Sequence, residues 1–449
     1  MSAAAGLIAR LESVPFSTWH LRARVIVGSA TFFDAFDALS LAFVLPVLAP
    51  AWHITASQIG WLIAAGYLGQ FAGALFFGGM AERHGRIRMA AAATALMSVM
   101  SIACAMAGSF STLLILRLVQ GLGVGGEMPV AAVYINELSK AQGRGRFFLL
   151  YEMIFPVGLM VTGQIGALLV PAFGWQVMFL IGGIPGLVVT LLLLRLPESP
   201  RWLIGQGRLA EAERIIETIE AGTTGTDAGE ADQAEHDVLS GFSRTNSGWR
   251  ELLSPVYRRR TFVVWTLWAC AYFVTNGLNN WMPTLYNRVY HLSLPESLRA
   301  GTLTNVAQVV LLFGCAFVID RVGRQRWTSA CFLGGAILLG ALAAFASHSV
   351  TAVIALVTIG YGLVGSVNAV LYLYTPEIYP TRMRAIGTGS ATCWLRLASA
   401  AGPLLVGYLL GGWGTGAVFL MFAAAAVIGS IAALAMLETR NRRLEDIAP

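Results

Sequence analysis

The stretch Gly78-Gly79-Met80-Ala81-Glu82-Arg83-His84-Gly85-Arg86-Ile87-Arg88 stands between two apolar runs, each long enough to cross a bilayer. It holds a turn, an acid and four basic side chains in a short space. A second copy, Ala316-Phe317-Val318-Ile319-Asp320-Arg321-Val322-Gly323-Arg324-Gln325-Arg326, places Asp320 238 residues after Glu82. A separate marker repeats as well. Glu137 stands seven positions before Arg144, Glu377 stands seven before Arg384, and the two acids are 240 residues apart. Two markers with nearly one offset imply a chain built from two homologous halves.

Composition says where those halves reside. Of 449 residues 56% are hydrophobic and 12% charged, against roughly 25% charged in soluble proteins. The chain is an integral membrane protein. Its net charge of +6 does not point to nucleic acid, because the basic residues cluster in short segments between apolar runs. Cys104, Cys270, Cys315, Cys331 and Cys393 all fall in apolar runs without metal-ligand spacing and read as small core residues. No signal peptide is evident: an amphipathic stretch from Leu7 to Leu11 precedes the first long run, with no small-residue cleavage site.

Apolar runs of roughly 20 residues predict twelve spans, near 25–50, 58–80, 89–108, 112–136, 147–170, 176–196, 261–285, 300–319, 327–346, 350–374, 385–410 and 415–437. The predicted fold is all-α, with twelve transmembrane helices in two pseudo-symmetric six-helix bundles. Residues 1–196 form the first bundle, 197–260 a cytoplasmic linker and 261–449 the second bundle. Parallel repeats of this kind are an architecture of membrane transporters. One set of alternating segments holds nearly all the arginines, while the other holds Arg288 and Arg299. The arginine-rich set is predicted to be cytoplasmic, with both termini inside. Within the linker, Leu209, Ala212, Ile215, Ile216 and Ile219 form one apolar helical face, and Thr223 to Gln233 reads as a flexible tether.

Ionisable residues inside spans are costly and functional by default. Here they are Asp34 and Asp37 in span 1, Arg117 and Glu127 in span 4, Glu152 in span 5, and Arg396 in span 11. Asp34 and Asp37 share one helical turn, and neighbouring carboxylates in a low dielectric favour proton uptake. They are expected to carry a proton; a static pair with an arginine is the alternative. Arg117 requires a carboxylate, with Asp37, Asp34 and Glu127 as candidates, and Glu127 is too far along the same helix to pair directly. The glycines of Arg117-Leu118-Val119-Gln120-Gly121-Leu122-Gly123-Val124-Gly125 let another helix approach. Arg396 has no acid in its own span and suits a carboxylate ligand, with a backbone carbonyl as the alternative partner. In span 7, Gly277 and Pro283 bracket Asn279, Asn280 and Trp281 and predict a broken helix, just after Asn276. Asn368 and Tyr372 add polar and aromatic character in span 10. Trp281, Trp394 and Tyr372 would wall a flat ligand. The repeated cytoplasmic motifs read as a conformational latch. Gly85 makes the turn, Gly78 permits close packing, and Glu82 caps or pairs with neighbouring basic groups. Glu137 with Arg144, and Glu377 with Arg384, would close the cytoplasmic side through ion pairs between the halves.

These residues carry a family resemblance. Gly78 to Arg88, with Glu82, Arg83, Gly85 and Arg86, and its copy with Asp320, Arg321 and Arg324 resemble the loop signature of the major facilitator superfamily. Glu82 replaces the usual Asp, and Ala316 the usual Gly. Pro197-Glu198-Ser199-Pro200-Arg201 is similar to the end-of-span-6 signature of sugar porters and organic-ion transporters. Phe33-Asp34-Ala35-Phe36-Asp37, Tyr151-Glu152 and Thr375-Pro376-Glu377-Ile378-Tyr379-Pro380-Thr381 resemble the nicotinate-permease and synaptic-vesicle-protein-related branch. The segment from Arg396 to Pro403 is similar to one in mammalian organic anion transporters, whose matching arginine is associated with anion binding. A large first extracellular loop and an N-x-[ST] acceptor are both absent, which suggests a bacterial inner-membrane version.

The resemblance implies a proton-coupled transporter of a small organic anion such as nicotinate, working by alternating access as a monomer in membrane lipid, without a cofactor. Arg396 would clamp the carboxylate; Asn276, Asn280 and Asn368 would read polar groups. Asp37, with Asp34, Glu127 and Glu152 nearby, would take the proton, and Arg117 would respond to it. Rival readings are an organic cation or sugar transporter, or a non-transporting membrane receptor. No nucleophile–base pair, phosphate-binding loop or metal spacing suggests an enzyme.

Overall fold

The structure, a computed structural model, describes residues 3–14, 17–138, 154–221, 249–345, 349–380 and 383–440. Arg144 and Glu152 lie outside them, as does the Thr223–Gln233 tether. Twelve helices among the described residues are long and apolar enough to cross a membrane. The first half contributes α2 (Thr18–Ala51), α3 (Ala56–His84), α4 (Arg86–Ala105), α5 (Phe110–Glu137), α6 (Ile154–Phe173) and α7 (Gln176–Leu193). The second contributes α11 (Arg258–Arg288), α12 (Leu294–Val322), α13 (Arg324–Phe345), α14 (Val350–Glu377), α15 (Arg384–Gly412) and α16 (Gly414–Leu434). Shorter helices are α1 (Ala3–Ser13), α8 (Pro200–Gly205), α9 (Leu209–Ala221) and α10 (Trp249–Leu252).

Local chemistry sets the helix ends. Thr55 accepts the Gln58 N–H at 3.3 Å and starts α3, and Ser293 with Glu296 forms a capping box at α12. Gly85 and Gly323 end α3 and α12 at φ +105° and +96°, a region open to glycine at little cost. Small residues then set the packing. A Cβ on Gly121 or Gly125 of α5 would collide with the α3 backbone at Gly66 or Gln70, so these helices touch through their main chains.

Residues 200–221 do not hang between the halves. Ala212, Ile216 and Ile219 of α9 are buried with Leu7, Ile8 and Leu11 of α1 and with Trp202 and Leu203 of α8. Arg10 clamps this cluster through Glu220 at 2.8 Å and Glu213 at 3.4 Å. The amphipathic face expected in the linker is therefore covered by the chain's own N-terminal helix. Trp202 Nε1 also donates to the Glu82 carbonyl at 2.9 Å, tying α8 to the last turn of α3.

The expected break in α11 is absent: the helix runs through Gly277 and Pro283 to Arg288. A proline removes one backbone donor, and here the helix continues over it. Gly277 serves packing instead, since a Cβ there would lie 2.5 Å from the Phe422 ring of α16.

The halves meet at the end of the bundle away from the termini and down to mid-depth. A Cβ on Gly60 would lie 2.9 Å from the Pro403 carbonyl, and one on Gly163 3.2 Å from Thr302 Cβ. Trp61 Nε1 donates to Tyr408 at 3.3 Å, and Arg288 to the Ile54 carbonyl at 3.4 Å.

Candidate functional site

The mid-depth contacts gather most of the charged residues picked out in the sequence. Arg396 of α15 is buried and reaches into the other half. Its Nη1 donates to Gln70 Oε1 of α3 at 3.0 Å, its Nη2 to the Gly125 carbonyl of α5 at 3.4 Å, and its Nε has no partner among the described residues. Both acceptors are neutral. Asp34 and Tyr372 lie within electrostatic range of this guanidinium, together with Tyr272. Tyr372 packs edge-on to Trp268 at 4.6 Å, and Trp268 stacks on Tyr272 at 5.6 Å. The aromatic wall beside Arg396 is thus Tyr372 and Tyr272, backed by Trp268.

Two expected wall residues lie elsewhere. Trp394 is two residues from Arg396, which turns it to the opposite side of α15. It is 41% exposed and packs on Trp265 at 5.7 Å. Trp281 is 1% exposed, and its indole N–H donates to the Pro403 carbonyl at 3.0 Å, so it joins α11 to α15 inside the second half. The asparagines do gather. Asn280 donates to Tyr67 of α3 across the halves at 3.0 Å, Asn276 to Ser399 at 2.6 Å, and Asn368 to Thr275 at 3.4 Å, leaving its Oδ1 without a partner.

A second cluster lies in the first half. Asp37 is fully buried against Gly182, whose missing side chain leaves room for its carboxylate. Its Oδ1 accepts from Ser101 at 2.9 Å, while Oδ2 has no partner among the described residues. Arg117 is close by, but its Nη1 donates to the Asp37 main-chain carbonyl at 3.4 Å and to Gln120 at 2.6 Å. The carboxylate pair expected for Arg117 is replaced by neutral acceptors. Asp34 carries an Oδ1 without a hydrogen-bond partner among the described residues and sits within electrostatic range of Glu127, Asp37 and Arg396. Glu127 accepts from Thr31 at 3.2 Å. These carboxylates thus form a connected buried group that reaches from Asp37 to Arg396.

The latch residues form two matching networks, each inside one half. Arg86 bonds Glu137 at 3.2 Å and Glu82 at 3.0 Å; Arg324 bonds Glu377 at 3.2 Å. Glu198 accepts the Ile87 and Arg88 N–H groups at 3.1 and 3.0 Å, and Glu438 accepts those of Arg324 and Gln325 at 3.0 and 3.2 Å. The Tyr134 hydroxyl donates to the Pro197 carbonyl at 2.9 Å, and the Tyr374 hydroxyl accepts from the Leu437 N–H at 3.0 Å. Pairs of Glu137 with Arg144 and Glu377 with Arg384 across the halves were expected. Glu377 instead bonds Arg324 and Thr439, and Arg384 donates to the Tyr379 carbonyl at 3.2 Å. An arginine one helix away, aimed by the turn at Gly85 or Gly323, reaches the acid within its own half. Arg83 and Arg321 are exposed. The packing role expected of Gly78 is not seen, since a Cβ there meets nothing within 4 Å. Burial pushes the Glu137 carboxyl above the ordinary glutamate range, with Arg86 opposing.

Gln70, Tyr67, Tyr272, Trp268 and Glu438 complete these sites, and the sequence reading gave none of them a role. The repeat could have flagged Gln70, because the 238-residue offset places Gln308 as its counterpart. In the second half Tyr361 donates to Gln308 Oε1 at 3.0 Å. Position 121, the counterpart of Tyr361 at the 240-residue offset, is glycine. With no hydroxyl there, Gln70 Oε1 accepts from Arg396 instead.

Comparison with known proteins follows the same lines. Residues 26–449 match the sugar (and other) transporter family. The chain is 32% identical to the niacin transporter NiaP of Acinetobacter baylyi, over 98% of this chain and 99% of that protein. It is 26% identical to the 4-hydroxybenzoate transporter PcaK of the same organism, over 90% of this chain and 88% of that one. The partially occluded, inward-open xylose transporter XylE from E. coli shares the fold at a TM-score of 0.75, with 18% identity, 95% of this chain and 100% of that chain covered. With its twelve helices in two repeated bundles, the chain belongs to the sugar (and other) transporter family of the major facilitator superfamily.

Proposed function

We propose that the protein is a proton-coupled transporter of a small aromatic carboxylate, with nicotinate as the leading candidate. One observation carries this reading. Arg396 is a buried cation at the junction of the halves whose hydrogen bonds go to neutral acceptors, with Nε left open. A buried guanidinium whose hydrogen bonds go to neutral groups is costly, and a planar carboxylate would supply a bidentate partner that Asp34, in electrostatic range without a hydrogen bond, does not. The flanking tyrosines Tyr372 and Tyr272 suit a flat ring. The names of the niacin and 4-hydroxybenzoate relatives fit the same chemistry.

Proton coupling is assigned to Asp37 and Asp34, each with an oxygen that has no hydrogen-bond partner among the described residues. Protonation would supply a donor and remove a buried charge. Glu127 extends this group towards Arg396. Arginine-rich segments at the terminal end support cytoplasmic termini, and on that reading the arrangement described is closed on the outer side. We assign it to the inner membrane of a bacterium. Alternating access then follows from rocking the two bundles about Arg396.

The test is uptake of labelled nicotinate into proteoliposomes, with and without an inward proton gradient. Gradient-stimulated accumulation is expected, with competition by aromatic carboxylates. Competition by organic cations or sugars in their place, or no accumulation by correctly inserted protein, would overturn the assignment.

A further inference from the structure

Gly60, Tyr67 and Gln70 fall on one stripe of α3, and that stripe faces the second half. A Cβ on Gly60 would meet the Pro403 carbonyl, Tyr67 bonds Asn280, and Gln70 bonds Arg396. Tyr67 is 7% exposed, and the bonding of its hydroxyl is one-sided. Asn280 Nδ2 donates to it at 3.0 Å and also donates to the Asn276 main-chain carbonyl at 2.9 Å. The second bond identifies that amide atom as the nitrogen, since an oxygen there would face another oxygen. Tyr67 therefore accepts from Asn280, and its own proton has no acceptor among the described residues.

A buried donor left unused is costly, and a hydroxyl that accepts one hydrogen bond donates the next more strongly. Gln70 is one turn along α3 from Tyr67, which puts the open hydroxyl on the same face as the amide that holds Arg396. Arg117 and Arg396 both lie within electrostatic range of this hydroxyl. Two cations so placed keep any acceptor that meets Tyr67 unprotonated. At the 238-residue offset the counterpart of Tyr67 is Asn305, which donates to Asn279 inside its own half at 3.2 Å. Tyr67 instead reaches across to the other half.

Resting on the assignment of Arg396 to the ligand's carboxylate, we propose that Tyr67 determines specificity by donating to an unprotonated acceptor on the ligand's ring, a pyridine-type nitrogen. The substrate class narrows to heteroaromatic carboxylates. A plain aryl carboxylate satisfies Arg396 but leaves the Tyr67 proton unused. Tyr67 belongs to the first half and Arg396 to the second, so a ligand with both features ties the two halves together.

The test is calorimetric binding of nicotinate and benzoate, which differ by a ring nitrogen in place of a C–H, to full-length protein in detergent. Wild type should prefer nicotinate. Y67F should weaken nicotinate roughly 2- to 12-fold, the loss of one net hydrogen bond, and leave benzoate unchanged or tighter. Y361F removes a buried hydroxyl near Tyr67 whose proton already goes to Gln308, and should leave the preference as it was. Equal loss of both ligands in Y67F would make Tyr67 a structural or carboxylate contact and overturn the proposal. So would a preference that Y67F does not change, or one that Y361F reduces as much. In each of these outcomes wild type still binds aryl carboxylates and the reading of Arg396 stands; wild type that binds neither ligand would overturn that reading and this one with it.

Discussion

Arg396 and Gln70 define the chemistry at the scale of single residues. If Arg396 clamps a carboxylate, R396A should weaken nicotinate binding roughly 10- to 150-fold, about 1.5–3 kcal/mol for a charged hydrogen bond. The measurement is calorimetric or by thermal shift on folded protein; unchanged affinity would remove Arg396 from the role. Q70E is a sharper probe. It sets a carboxylate where Gln70 Oε1 now accepts from Arg396, so it should raise the melting temperature while lowering nicotinate affinity. A gain in both would show that the ligand does not compete for this guanidinium. D37N should leave binding in place and abolish the stimulation of uptake by a proton gradient. Charged residues at this scale were legible in the sequence, because a charge in an apolar run stands out. Gln70 was not, since an amide among apolar neighbours carries no such contrast. Trp281 and Trp394 were misplaced for a related reason: a residue's type does not say which way its side of the helix faces.

Helix ends carry the latch, and the glycines there are unequal. G85A forces a Cβ into the Glu198 carboxylate at φ +105° and should cost about 1–3 kcal/mol, read as a lower melting temperature. G78A meets nothing and should be neutral, or stabilising by about 0.5–1 kcal/mol as glycine is replaced within a helix. Equal effects of the two would contradict the geometry. Glu137 gives a pH dependence. Burial raises its carboxyl despite Arg86, so the folded protein holds that proton more tightly than the unfolded chain. This contribution is fully present below the unfolded pKa and is lost as pH rises through the raised folded value. E137Q should therefore flatten the fall in melting temperature on going from about pH 4 upward. The turns and acids of these motifs were readable from their repetition. Their pairing was not, because an arginine's reach depends on where the next helix packs, and the continuity of α11 through Pro283 likewise depends on its neighbours.

The whole molecule was the most legible level, since hydropathy fixes twelve spans and the twin motifs fix two halves. What moves against what was not, because both latches turned out to close within a half. Each bundle is thereby braced internally at the terminal end, while the halves touch from mid-depth to the opposite end. G163C/T302C, with Cβ atoms near disulfide distance at 3.2 Å, should oxidise readily in ligand-free protein and stop uptake until reductant is added. Failure to form the bond, or uptake that persists with it, would argue against rocking about this closed end. The Gln70 and Gln308 twins carry a further consequence. Duplication supplied both bundles with the same amide, and a single tyrosine-to-glycine difference decides whether it looks inward to its own bundle or outward to the partner. The two copies therefore act as each other's natural control: where they agree, the shared residues describe machinery, and where they part, the difference marks recognition. Ligand preference in this architecture should change fastest at positions that have lost their twin.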